Sequence, residues 1–430
     1  MNILKNVTTK NRKIVFSIDF SESFCYNTIC KNEKLVQKVS SMKILKLVAT
    51  GLPLFQEKCE IDFLALQRVT EENAEKMCCA FSNSAIKFHQ NNVLSFIGIN
   101  ASGKTTILKL ITFVCRMLNN EPINSIDCSE ILDDIKEYGS VVFDTYFYSE
   151  NGTVNFLHTT VMKEYAKLVI TNEILKSKPV SKVQSKKSIY DFTGIEENLS
   201  RKSVDTDFLL DDVSIMVAFN KRNNDRIIFT DMLRYTNINQ LNISEDCPLE
   251  LIAFFDPSVE YLKVCNTSKD TDICLKFWDK EEIILNQFSE LNRYLSSGTI
   301  KGINTFLNAM KTFETGGYLI IDELENHFNQ EIVSTLIRFY MDKKVNKKGA
   351  MLIFSTHYSE LLDIFERNDN TYIVRNRDGI MADNLSNILK RNDIKRSEAY
   401  QSGFLQGTVP RYEAYRALKK SIINSHKEDV

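Results

Sequence analysis

Val93-Leu-Ser-Phe-Ile-Gly98-Ile-Asn100-Ala101-Ser102-Gly103-Lys104-Thr105-Thr106-Ile-Leu-Lys-Leu110 reads as an apolar strand, a tight glycine loop and the start of an amphipathic helix. Gly98 and Gly103, followed directly by Lys104 and Thr105, match the phosphate-loop pattern. Each residue type has a physical reason. Glycines let the backbone turn sharply enough to aim the N–H groups of Asn100 to Thr106 inward. The helix that follows presents its positive dipole end to the same point. Lys104 supplies a point charge for the β- and γ-phosphates of ATP, and the Thr105 hydroxyl is suited to Mg²⁺.

The second informative stretch is Tyr318-Leu-Ile-Ile-Asp322-Glu323-Leu-Glu325-Asn326-His327. Four apolar residues running into two carboxylates predict a buried parallel strand that ends at a site. Charges at a strand end are costly unless they serve something, and ligands of α/β sheets sit at that end. Asp322 is expected to hold Mg²⁺ together with Thr105, mostly through water. Glu323 is expected to orient or deprotonate the attacking water. A helix over 330–341 and a strand over 350–354 follow, the strand running into Ser355-Thr356-His357. That places His357 one strand on from the carboxylates, within reach of a γ-phosphate.

Upstream, Leu295-Ser296-Ser297-Gly298-Thr299 opens a helix. Ile300, Ile303, Phe306, Leu307, Met310 and Phe313 recur in it at three- and four-residue steps, and Gly316-Gly317 ends it. The Ser-Ser-Gly-Thr cluster reads equally as an N-cap or as an anion site.

Composition bounds the rest. Hydrophobic content of 43% and charged content of 26% in 430 residues suit a soluble globular chain with a large core. The net charge of −2 gives no global argument for nucleic acid. Ten cysteines without a C-x-x-C pair predict reduced, mostly buried thiols in a cytoplasmic protein. The five histidines do not fall at zinc-ligand spacing with cysteine. No apolar run approaches the ~18 residues of a membrane span, and no secretory h-region opens the chain.

Along the chain, residues 1–41 read as an N-terminal extension with a strand over 14–20. Residues 42–120 form a lobe around the glycine loop. Its first two strands, from Lys43 and from Cys59, predict an antiparallel pair on the adenine side. Phe55 between them reads either as core or as a stacking ring. Residues 121–284 form an insertion, with a hairpin around Asn151-Gly152 that Lys167–Leu175 is suited to extend. Lys176 to Lys187 carries five lysines and no acid, a solvated loop or a phosphate-backbone contact. Residues 191–290 are assigned to a mainly helical arm. Residues 285–378 carry the acids and His357. The tail, 379–430, is basic through Lys395, Arg396, Arg411, Arg416, Lys419 and Lys420, either a solvated helix face or a docking surface.

The order of these motifs resembles ABC-type ATPases of the SMC and RecF-like branch. Leu295–Thr299 is similar to their signature, Leu319–Glu323 to their Walker B, Glu325-Asn326-His327 to their D-loop and His357 to their switch histidine. Within that branch the chain resembles the abortive-infection and OLD-related ATPases of prokaryotes, such as the ATPase subunits of PARIS and Septu. The resemblance implies an α/β fold: a P-loop ABC-type head, a mixed sheet with helices, carrying a mainly helical inserted lobe. It also implies a homodimer or higher homo-oligomer around ATP, with Ser296, Ser297 and Gly298 reaching the γ-phosphate in trans. Hydrolysis would then switch a separate effector, a nuclease being one candidate, in anti-phage defence. The insertion lacks the heptads of a long SMC coiled coil, and no acidic cluster of a fused nuclease follows the last strands. A DNA-binding repair or chromosome-maintenance ATPase is the alternative, and a transporter ATPase a third. No membrane partner is expected.

Overall fold

Two six-stranded sheets sandwich one helix, and a pair of helices covers the outer face of the second sheet. The computed structural model describes residues 40–203, 209–235, 247–266, 271–326, 328–390, 394–408 and 412–425, all within the unit Val39–Val430. The strand expected over 14–20, His327 and Arg411 lie outside the described residues.

Strand β1 (Lys43–Thr50) pairs antiparallel with β2 (Lys58–Asp62), as the two apolar runs predict. Strand β3 (Val93–Ile97) leads through the glycine loop into α1 (Lys104–Leu118). A long antiparallel meander follows: β4 (Ser140–Ser149), β5 (Thr153–Glu164), β6 (Lys167–Pro179) and the short β7 (Glu197–Ser200). The turn at Asn151-Gly152 joins β4 to β5 as expected. The first sheet runs β7-β6-β5-β4-β1-β2. Burial alternates along β4, where Val141, Phe143 and Phe147 face inward. Phe143 packs on Phe113 of α1 with ring centroids 5.6 Å apart.

The second sheet adds β8 (Phe229–Asp231) and later strands. Between them stand a three-stranded antiparallel sheet, β9 (Val259–Asn266), β10 (Thr271–Phe277) and β11 (Ile283–Leu285), and then α2 (Ser297–Thr315). The chain continues through β12 (Tyr318–Ile321), α3 (Gln330–Met341), β13 (Met351–Thr356), β14 (Thr371–Asn376) and β15 (Ile380–Asn384). The order is β8-β12-β13-β3-β14-β15, parallel throughout except for β15.

The period of two explains why these strands are apolar throughout. Phe96, Ile320, Met351 and Ile353 face α1, while Val93, Leu319, Leu352 and Phe354 face α2 and α3. Helix α1 is apolar nearly all round because sheets press on it from both sides. The fold is mixed α/β.

Two expectations fail. The insertion is not mainly helical: strands β4 to β10 run through it, and its only α-helices among the described residues are the short Met216–Asn223 and Leu249–Phe255. Ile273, Cys274 and Leu275 of β10 are consecutive and all buried, so no apolar–polar alternation marks the strand in the sequence. The cysteines are not all free either. Cys265 and Cys274 form a disulfide, Cα atoms 6.1 Å apart. They are diagonal neighbours across β9 and β10, a proximity set by pairing register and invisible in spacing alone.

The basic segments are partly structural. Lys178 Nζ donates to the carbonyls of Ser188 and Asp191, each at 2.6 Å, and Lys186 Nζ to those of Ala65 and Gln67. Arg396 is buried, with Nε donating to Asn368 Oδ1 at 2.6 Å. The last helix, α4 (Tyr412–Ser425), is exposed over residues 412–424.

Two phenols tie the sheets together. Tyr318 Oη accepts from the Ile44 N–H at 2.8 Å and Tyr372 Oη from the Asp62 N–H at 2.7 Å. Burial beside Tyr372 pushes the Asp62 carboxyl up to about 6, with Lys46 opposing the rise. A folded pKa above the unfolded value of about 4 means that the fold binds the proton more tightly. Stability is therefore expected to fall as pH rises from about 4 to about 6. Asp62→Asn should flatten that slope. Thermal denaturation of both proteins across this range measures it, and an unchanged slope in the variant would refute the assignment.

Candidate functional site

Three neighbouring strands of the second sheet end at one level. Ile321 of β12 pairs with Phe354 of β13, and Thr356 of β13 pairs with Ile97 of β3. Their C-terminal ends therefore bring Asp322 and Glu323, His357, and the glycine loop together, with the histidine strand in the middle. Thr105 and Asp322, 217 positions apart, are in direct contact: Thr105 Oγ1 donates to Asp322 Oδ2 at 2.7 Å.

The loop needs its glycines. A Cβ on Gly98 would stand 2.4 Å from both the Val374 carbonyl and Ser102 Oγ. Gly103 has φ +99°, and a Cβ there would run into Ile380 at 2.5 Å. Ala101 also takes a left-handed backbone, φ +60°. Ser102 is buried, and its Oγ has no hydrogen-bond partner. An orphaned hydroxyl inside such a curl is an open position for a ligand.

Lys104 opens α1 and is buried. Its Nζ donates to the carbonyls of Gly98 at 3.0 Å and Ile99 at 3.2 Å, and lies 3.3 Å from His357 Nδ1. Burial lowers its pKa, and the nearby Asp322, Glu325 and Glu323 carboxylates oppose that shift. An ammonium only donates, so His357 Nδ1 accepts and Nε2 carries the ring proton toward Glu323 Oε1 at 3.4 Å. Glu323 has a left-handed backbone, φ +47°, held by its N–H donating to Ser355 Oγ at 2.7 Å. The Ser355 hydroxyl in turn donates to Asp322 Oδ1.

These residues border a cavity of about 910 Å³, lined by Asn100 through Thr106, Glu323 and His357. Asp322 approaches it through Thr105. A hydroxyl and a carboxylate in contact at the foot of a phosphate-sized loop suit Mg²⁺, which takes one or two protein ligands and completes its shell with water and phosphate. No cluster of three or more His, Cys, Asp or Glu among the described residues could hold a metal alone.

Ser296, Ser297 and Gly298 do not line this cavity. They form the start of α2, where Ser296 Oγ caps the helix by accepting from the Thr299 N–H at 3.0 Å. Ser296 is exposed and the next two residues are half-buried. Phe55 is core, and its neighbour Leu54 lines the cavity instead.

Sequence reasoning missed one wall. Pro53, Leu54, Asn376, Asp378, Gly379 and Ile380 also line the cavity. Backbone bonds from Ile380 N to Leu54 O and from Gln56 N to Ile380 O fasten the two segments together, and Asn376 Nδ2 donates to Ala101 O. The Asp378-Gly379 dipeptide signals a hairpin turn. Nothing local says that the hairpin stands beside the glycine loop.

No protein-family model matches this chain, and no curated protein matches it. Among the described residues no helix is long and apolar enough to cross a membrane.

Proposed function

We propose that this chain is a Mg²⁺-dependent ATPase with a P-loop head of ABC type. One observation carries the reading: a curled glycine loop with a buried lysine converges on a hydroxyl–carboxylate pair, a cavity-facing glutamate and a histidine, all at the ends of three adjacent parallel strands. Backbone N–H groups of Asn100 to Thr106 and the start of α1 would bind the phosphates, and Lys104 would leave the loop carbonyls for the β- and γ-oxygens. Thr105 and Asp322 would hold Mg²⁺, which when bound spreads the phosphate charge. Glu323 reaches the cavity as general base for the attacking water. His357, its proton on Nε2, orients that carboxylate and stands beside the γ-phosphate position.

The wider role rests on the motif resemblance. There ATP bridges two copies of this chain, with Ser296–Gly298 of one facing the phosphates of the other. A capped helix start outside the chain's own cavity, with Ser296 exposed, supports that role. The result would be a nucleotide-controlled switch for a separate effector in prokaryotic anti-phage defence.

The test is phosphate release from ATP by the full chain, with and without Mg²⁺. Turnover that requires Mg²⁺ and yields ADP is expected. Absence of hydrolysis together with absence of ATP binding would remove the proposal.

A further inference from the structure

We infer that Glu325 is a positioning residue that sets His357 by holding its backbone. Glu325 lies just past the paired acids and is buried, 7% exposed. Its Oε1 accepts the backbone N–H of His357, the first residue beyond the end of β13. Its Oε2 is buried with no hydrogen-bond partner. A buried carboxylate oxygen left unsatisfied is a cost to the fold, so stability alone is a poor reason for this side chain to be here.

The surrounding bonds say what it does. The turn after β12 and the turn after β13 are laced together. Glu323 N–H reaches Ser355 Oγ at 2.7 Å, and Leu324 N–H reaches Ser355 O at 3.1 Å. Glu325 adds the bond that runs the other way, donated by the His357 backbone N–H after β13 and accepted by a side chain of the turn after β12. A tight turn fixes it, with Asn326 N–H donating to Glu323 O at 2.9 Å and Phe328 N–H to Glu325 O at 3.0 Å. The two Ser355 bonds hold the left-handed Glu323. The Glu325 bond holds the residue whose ring must stand between Lys104 and Glu323. A carboxylate on an N–H is a strong, charge-assisted bond, fit to resist rotation of the His357 backbone.

Glu325 thus acts on the chemistry through His357 and touches no reacting atom. The turnover part of its test rests on the ATPase reading; the spectroscopic part does not. The full chain, labelled with ¹³C-histidine, has five histidines, and the His357 signal is assigned by its loss in His357→Gln. Glu325→Ala removes the acceptor, and Glu325→Asp keeps the charge but withdraws the oxygen by one methylene. Both should move the His357 imidazole signal. Glu325→Gln keeps an accepting oxygen and should leave it in place.

In turnover, Glu325→Asp should lower kcat by roughly 10- to 100-fold with KM within about threefold. In a His357→Gln background the same change should cost less than about twofold, because the two residues act as one unit. A His357 signal unmoved by Glu325→Asp would overturn the inference. So would Glu325→Gln moving it as far as Glu325→Asp, or losses that add in the double variant. If the wild-type chain neither hydrolyses nor binds ATP, the ATPase reading fails while the spectra still decide the role of Glu325.

Discussion

Glu323→Gln is expected to slow ATP turnover by roughly 10²- to 10⁴-fold, the range that a positioned general base contributes, while leaving nucleotide bound. Glutamine keeps the length of the side chain and can still accept from His357 Nε2–H, which stands 3.4 Å from Glu323 Oε1 in the native chain. What it loses is a proton acceptor basic enough for water. The backbone should not relax, because the N–H of residue 323 remains on Ser355 Oγ whatever the side chain. ATP that binds and is not cleaved should then accumulate between two copies of the chain. Light scattering would report a dimer that persists with ATP and Mg²⁺ in the variant and decays in the wild type. Equal turnover in the two proteins would show that another group is the base.

Lys104→Ala should act earlier, on binding. The native ammonium is held inside the loop by two carbonyls at 3.0 and 3.2 Å, and under the proposed function it exchanges them for phosphate oxygens. Charge-assisted hydrogen bonds of this kind contribute about 1.5–3 kcal/mol, which corresponds to roughly 10- to 150-fold in affinity. The loss should exceed that of one bond, since Asp322, Glu323 and Glu325 would face the anion with less opposing charge. Titration with ATP followed by calorimetry measures it. Affinity unchanged from wild type would mean that phosphates do not bind in this loop.

The parts of the site that could be read before any fold was known are those governed by local backbone and local charge. Gly98 and Gly103 announce the curl because a Cβ on the first would meet Ser102 Oγ at 2.4 Å and the second takes φ +99°. Asp322 and Glu323 announce themselves because carboxylates end an apolar strand. Helix α3 spans the predicted residues, Gln330–Met341, because its apolar period and its Asn329 cap act over one or two turns. The arm over 191–290 departs from the helical expectation for the converse reason: short strands there take their stability from partners, and isolated propensity underdetermines them.

Linear order alone tells which residue types lie at strand ends and loop tips, and therefore what chemistry this chain is equipped for. Which of them meet was settled by sheet order and register. The lane between β12 and β3 that β13 fills is why His357 stands between Lys104 and Glu323. The same pairing seats Glu325 on the His357 backbone, brings the Asp378 hairpin and Leu54 to the loop, and joins Cys265 to Cys274. Contacts across 217 positions, like Thr105 to Asp322, have no local signature. They follow from hydrophobic strands aligning side by side, and the burial of both sheet faces fixes that alignment.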